Sequence, residues 1–272
     1  MSSVLRASQA SDWRQPAPGN TVYLQLDAGQ VVFELAPDFA PAHIANLRQL
    51  IADRYFDGLA VNRSQDNYVV QWGDPHAGSD GARSMGGAKE TLTPEFTRSA
   101  TGLDFTTIDS NDAYADEVGF SGGFPAARDR SGERAWLTHC YGTLGVGRGN
   151  AAQSGSGAEL YVVTGHAPRH LDRNVTLIGR VISGMELLST LPRGKGPLGF
   201  YESPAFKVRI LSMRLGADLP ISAQLPIELL RTDTQTFTDL VESRRYRAEE
   251  WFVDPTGRID LCNIPLPARM LN

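Results

Sequence analysis

Little in this 272-residue chain suggests metal or nucleic-acid chemistry. Its two cysteines, Cys140 and Cys262, stand far apart, and no His/Cys cluster has the spacing of a structural zinc site. Basic residues are not in excess: 26 Lys and Arg face 31 Asp and Glu, a net charge of −5. That argues against a nucleic-acid binder, whose electrostatic footprint is a basic face. Where basic residues gather, in RSGERAW and ESRRYRAEE, acidic ones are interleaved, as on a solvated surface. No apolar run approaches the roughly 18–20 residues of a membrane span. The start, MSSVLRASQASDWRQPAPGN, lacks the apolar stretch of a signal peptide and reads as a polar leader over residues 1–20. The cysteines fit either two buried thiols or one disulfide tying the C-terminal tail to the main domain in an oxidising compartment.

What the chain does have is short alternating segments. In TVYLQLDAGQVVFELA two such runs flank a short Gly-containing turn, a β-hairpin pattern. In PDFAPAHIANLRQLIADRYFDG, Ile44, Leu47, Leu50 and Ile51 fall at helical spacing, with Pro41 where a first turn tolerates it. LAVNRS and NYVVQWG follow as short strands. From about residue 75 to 136 Gly, Ser, Asp and Arg dominate, with LDFTTI and GGFPAA as candidate strands. A structureless loop of that length is unusual, so part of it is expected to be ordered or functional. TLGVG, ELYVVTG, TLIGRVISG and AFKVRILSMRL restore the strand pattern, and MELLSTL adds a short helix. Seven or eight strands with two helices predict a mainly β fold closed as an antiparallel barrel. After Pro220, DTQTFTDLVESRRYRAEEWF predicts a helix capped by Asp233 or Thr234, with Phe237, Leu240, Val241, Ala248 and Phe252 on one face. The expected organisation is a leader (1–20), a barrel domain (21–217) with an insert at about 75–136, and a C-terminal extension (218–272) packed on the barrel.

Two local patterns carry little chemistry. GVGRGN looks like a phosphate cradle, but no helix pattern follows it. His139-Cys140 suggests a thiol nucleophile, but adjacent residues of a strand face opposite ways.

The order VVFELAPDFAPAHIANLRQL, VNRS, DNYVVQWGD, GTLGVGRGN, GAELYVV and HLDR resembles that of the cyclophilins, from about Thr21 to Leu215. The resemblance implies an eight-stranded antiparallel barrel capped by two helices and a peptidyl-prolyl cis–trans isomerase without metal or cofactor. It makes Arg63 the catalytic arginine and Gln71 the glutamine that anchors the substrate backbone. Tyr68 and Val69 would wall the proline pocket, Tyr161 would floor it, and Leu171 would complete it. Gly147 and Arg148 would meet the residue before proline, while Glu159 stands where the family has glutamine. Asn62 replaces a histidine and Trp72 a glycine. His170 replaces a tryptophan, which implies weakened affinity for cyclosporin.

The chemistry expected of such a site needs no nucleophile. Rotation about an X–Pro bond is opposed by amide resonance, a barrier of roughly 18–20 kcal/mol. The twisted proline nitrogen regains its lone pair, so a fixed donor aimed at it stabilises the transition state selectively. Arginine is always charged and presents a rigid fork of donors. The expected partners are proline-containing unfolded or flexible polypeptides. The alternative is a proline-binding or chaperone module with little catalysis. As given, the sequence is that of a cytoplasmic protein; similarity to exported bacterial cyclophilins with C-terminal extensions points instead to a mature periplasmic one.

Overall fold

The alternating runs flanking Asp27-Ala28 form a hairpin of β1 (Thr21–Leu26) and β2 (Gly29–Leu35), in register from Thr21 opposite Glu34 to Leu26 opposite Gly29. The structure is a computed structural model describing residues 2–77 and 79–271. Numbering only the barrel strands, the chain continues through β3 (Ala60–Ser64), β4 (Val69–Gly73), β5 (Thr143–Val146), β6 (Glu159–Val163), β7 (Leu177–Ser183) and β8 (Val208–Leu215). These eight strands close into a barrel in the order β5-β6-β4-β3-β8-β1-β2-β7, each pair antiparallel, with β7 returning to β5. Closure removes every sheet edge, as the strand count and turn signals predict.

One helix, Pro41–Ala52, covers the barrel with Ile44, Leu47, Leu50 and Ile51, all at most 2% exposed. They join Leu24, Phe33, Trp72 and Val162 in one apolar core. Burial of each such side chain contributes about 1.5–3 kcal/mol. Leu188 of the short helix Met185–Ser189 enters the same core. Trp72, which replaces a small residue of the resembling family, points inward and packs against Phe33 at 5.8 Å between ring centroids. Glu95 holds the start of the longer helix, accepting from the backbone N–H groups of Ala42 (3.0 Å) and His43 (2.9 Å). Asn46, on the helix, exchanges hydrogen bonds with the backbone N–H and C=O of Lys89.

The chain divides into two compact units, and their boundaries differ from those expected at residues 20, 75, 136 and 218. The barrel unit comprises 17–98 and 138–224, so the first part of the insert belongs to it. The other unit gathers residues 1–16, 99–137 and 225–272. Within it Thr106–Ile108, Glu117–Ser121, Phe124–Arg128 and Arg134–Leu137 form an antiparallel sheet. LDFTTI and GGFPAA therefore do contain strands. Gly122 and Gly123, at φ of 58° and 91°, make the two-residue hairpin turn between the middle pair, a conformation that needs positive φ at both positions. The helix Gln235–Arg245 is capped by Thr234, whose hydroxyl accepts from the Phe237 N–H, and it ends at Tyr246, so Ala248 and Phe252, expected on its apolar face, lie beyond it. Phe237 packs edge-on against Phe120 of the sheet at 5.0 Å. Trp13–Arg14 and Ala268–Met270 flank Ile227–Leu230 in a smaller sheet. Leader, insert and tail thus supply one another's apolar partners, a pairing between distant segments that local patterning does not encode. Both cysteines are disulfide-bonded. Among the described residues no helix is long and apolar enough to cross a membrane.

Candidate active site

The site grows from an irregularity in the β3–β4 pairing. Val61 lies opposite Trp72, but Arg63 lies opposite Gln71, so the register shifts by one residue at Asn62. The bulge turns Arg63 and Gln71 to the outer face while Val61 and Trp72 remain in the core. Asn62 itself is buried.

Arg63 is held from three sides. Its Nε donates to the Leu198 carbonyl (2.7 Å), one Nη to Gln71 Oε1 (2.9 Å) and the other to Gln65 Oε1. Tyr68 and Phe200 lie about the guanidinium, with ring centroids 5.7 and 5.5 Å from its carbon. An arginine has five N–H donors; with three committed, two remain. Gln71 donates in turn to Glu159 Oε1 (3.2 Å), which fixes which way its amide points. Burial, and then the charge of Asp74, push the Glu159 carboxyl above its ordinary range.

These residues open onto a cavity of about 460 Å3. Of the candidates read from sequence, Arg63, Tyr68, Val69, Gln71, Gly147, Arg148, Glu159, Tyr161 and Leu171 all line it. His170 does not; it is exposed and stacks in parallel on Tyr68, 6.5 Å between ring centroids. Arg148 is turned aside by hydrogen bonds to the carbonyls of Asn174 and Gly149 (both 2.8 Å) and lies 5.7 Å from the Phe96 ring. Phe96 belongs to the insert, whose barrel-side part therefore reaches the rim.

The floor holds groups that the sequence reading did not join. The Tyr161 hydroxyl meets His139 Nε2 at 2.8 Å. His139 Nδ1 and its backbone N–H both reach Asp172 Oδ1, at 2.8 and 2.9 Å, and Arg169 Nε donates to Asp172 Oδ2 at 2.5 Å. Burial, outweighing the Asp172 carboxylate, pushes the His139 imidazole below its ordinary range. Sequence reading weighed His139 only against its neighbour Cys140. The signal it passed over was Asp172 within HLDR, next to the expected pocket residue Leu171. Leu198 and Phe200 were also missed. They sit on a strap whose Leu198 adopts φ 56°, unusual for a side chain other than Gly or Asn.

Among the described residues no group of three or more His, Cys, Asp or Glu is placed to hold a metal ion. The arrangement can bind an apolar ring over Tyr161 and present fixed N–H donors at its edge.

Known proteins share this architecture. The family model described as Cyclophilin type peptidyl-prolyl cis-trans isomerase/CLD matches residues 21–215. A probable peptidyl-prolyl cis-trans isomerase of Brucella suis is 26% identical over 184 residues, 65% of this chain and 74% of that protein. Peptidyl-prolyl cis-trans isomerase-like 3 of Gallus gallus is 26% identical over 172 residues, 63% and 81% of the two chains. The crystal structure of cyclophilin AquaCyp293 from Hirschia baltica superposes with a TM-score of 0.73 at 23% identity, covering 94% of this chain and 92% of that one. This likeness shows a common fold. Since the family match spans the whole barrel, the chain belongs to the cyclophilin-type peptidyl-prolyl cis–trans isomerases.

Proposed function

We infer that the protein accelerates rotation about X–Pro bonds in unfolded or flexible polypeptides, with Arg63 as the transition-state donor. The observation that carries this reading is the tethered guanidinium with two N–H bonds still unused at the cavity. A proline ring resting on Tyr161 would put its nitrogen at that edge, with Gln71 within reach of the neighbouring backbone. No proton is transferred and no bond is broken. The donor strengthens only as the nitrogen becomes pyramidal, so it lowers the barrier more than it tightens binding. Exchange NMR on a proline peptide tests this. Arg63→Ala is expected to lose about 100-fold in rate, or about 2.7 kcal/mol; full retention of activity would refute the assignment. Peptide binding by the wild type without rate enhancement would instead make the protein a proline-capturing module.

His170 offers an exposed imidazole where the family has a tryptophan. Cyclosporin should therefore inhibit weakly, and a titration giving sub-micromolar inhibition would overturn that expectation. The disulfide-bonded cysteines favour an oxidising compartment such as the periplasm. Mass spectrometry of native protein, with and without reductant, tests that placement: two free thiols would count against it.

A further inference from the structure

Rotation about a prolyl bond needs no base, yet a histidine lies fully buried directly beneath the pocket. Its possible use as a partner for a thiol nucleophile is closed, because Cys140 is disulfide-bonded. What remains is its hydrogen bonding, in which both ring nitrogens and the backbone N–H have partners. Asp172 Oδ1 accepts from both the His139 backbone N–H and Nδ1, so the ring proton resides on Nδ1. In the neutral ring Nε2 is then a lone-pair acceptor for the Tyr161 hydroxyl, 2.8 Å away. Gly145 lies opposite Tyr161 on the neighbouring strand. A Cβ there would collide with the Tyr161 ring and hydroxyl, so only glycine leaves the ring its course beneath β5.

The same carboxylate reaches the rim. Asp172 directly follows the turn Arg169–Leu171, which carries Leu171 into the cavity and His170 onto Tyr68. Arg169 holds its second oxygen, and Asn174 Nδ2 donates to its backbone carbonyl at 2.9 Å. Floor and rim are therefore fastened to one group.

We propose that His139 is a positioning residue of the proline pocket, locking Tyr161 through its hydroxyl and coupling it through Asp172 to the Leu171 rim. This rests on the reading of the cavity as a prolyl site. The relay shapes the slot and takes no part in the rotation, so its loss should appear in binding and not in turnover.

The test is a double-mutant cycle read by peptide Kd and by exchange NMR. His139→Leu is expected to raise Kd and KM about tenfold with kcat within about twofold, and to change Kd less than about twofold when made in Tyr161→Phe. Equal effects in both backgrounds, or no effect in either, would overturn the proposal while leaving the isomerase reading intact. If His139→Leu does not fold, the wild type decides. With nitrogen-15 in its histidines, the His139 Nε2 resonance should move on titration with a proline peptide, at the peptide's own Kd. A static resonance overturns the proposal. A wild type that neither binds nor turns over proline peptides brings down both readings together.

Discussion

The wall and the floor of the cavity are both hydrogen-bonded relays ending in an arginine, and they differ in where the charge lies. In the wall, Arg63, Gln71 and Glu159 run along the cavity surface, and the guanidinium faces the space a substrate would fill. In the floor, Arg169, Asp172, His139 and Tyr161 are each less than a tenth exposed, and only the tyrosine ring meets the cavity. The wall keeps a cation partly desolvated but accessible, which strengthens its hydrogen bonds to a reacting atom. The floor hides its ions and presents an apolar surface whose position they fix. Similar chemistry thus serves as a reagent on one side and as a mould on the other.

The sharpest way to break this contrast is to cut the floor. Asp172→Ala removes the acceptor of His139 Nδ1–H and the carboxylate on Arg169, all buried. Breaking a buried pair in this way should cost about 3–5 kcal/mol of stability in urea unfolding. Loss of less than about 1 kcal/mol, the range of surface pairs, would mean the floor relay carries no structural weight. The wall should respond oppositely. Arg63→Lys keeps the charge but cannot hold three acceptors and still present a rigid fork. Its isomerisation rate should fall at least about tenfold, with little change in unfolding. Gly145→Ala tests the mould itself. Overpacking the ring should cost about 1–3 kcal/mol and weaken peptide binding, whereas an unchanged Kd would show that the ring can move aside.

The same contrast explains what could be read from sequence. The barrel was legible because hairpin turns and the alternation in β1 to β4 lie within single supersecondary units. The wall was legible through the resemblance to the cyclophilins, whose motifs carry Arg63 and Gln71 on one hairpin and Glu159 on a distant strand. The floor draws on His139, Tyr161 and Asp172, from three segments that only the closed barrel brings together. No periodicity links them. Trp72 stood where a small residue was expected; strand alternation sends it into the core beside Phe33, where its buried indole N–H has no hydrogen-bond partner among the described residues. The second unit was legible only in pieces. LDFTTI, GGFPAA and the helix after Thr234 lie in local units, but Trp13–Arg14, Ile227–Leu230 and Ala268–Met270, two to four residues long, pair across segments far apart in the chain.

The smallest expected effect separates wall from floor by pH. Glu159 has its carboxyl raised by burial and by Asp74, against the lowering effects of Gln71 and Arg63. Between the ordinary glutamate value of about 4.3 and the raised one, the folded protein binds more protons than the unfolded chain. By linkage, stability then falls as pH rises through that window and levels off above it. Glu159→Gln removes that descent, so the variant should gain on the wild type above the window and not below it. His139 has the opposite sign. Its imidazole is lowered by burial, so from about 6.5 downward the unfolded chain binds more protons and stability falls as pH falls. Urea midpoints of wild type and Glu159→Gln across this range should therefore differ only through the wall. A constant difference at every pH would mean that the Glu159 carboxyl is as well solvated folded as unfolded, and that the wall is no more desolvated than ordinary surface.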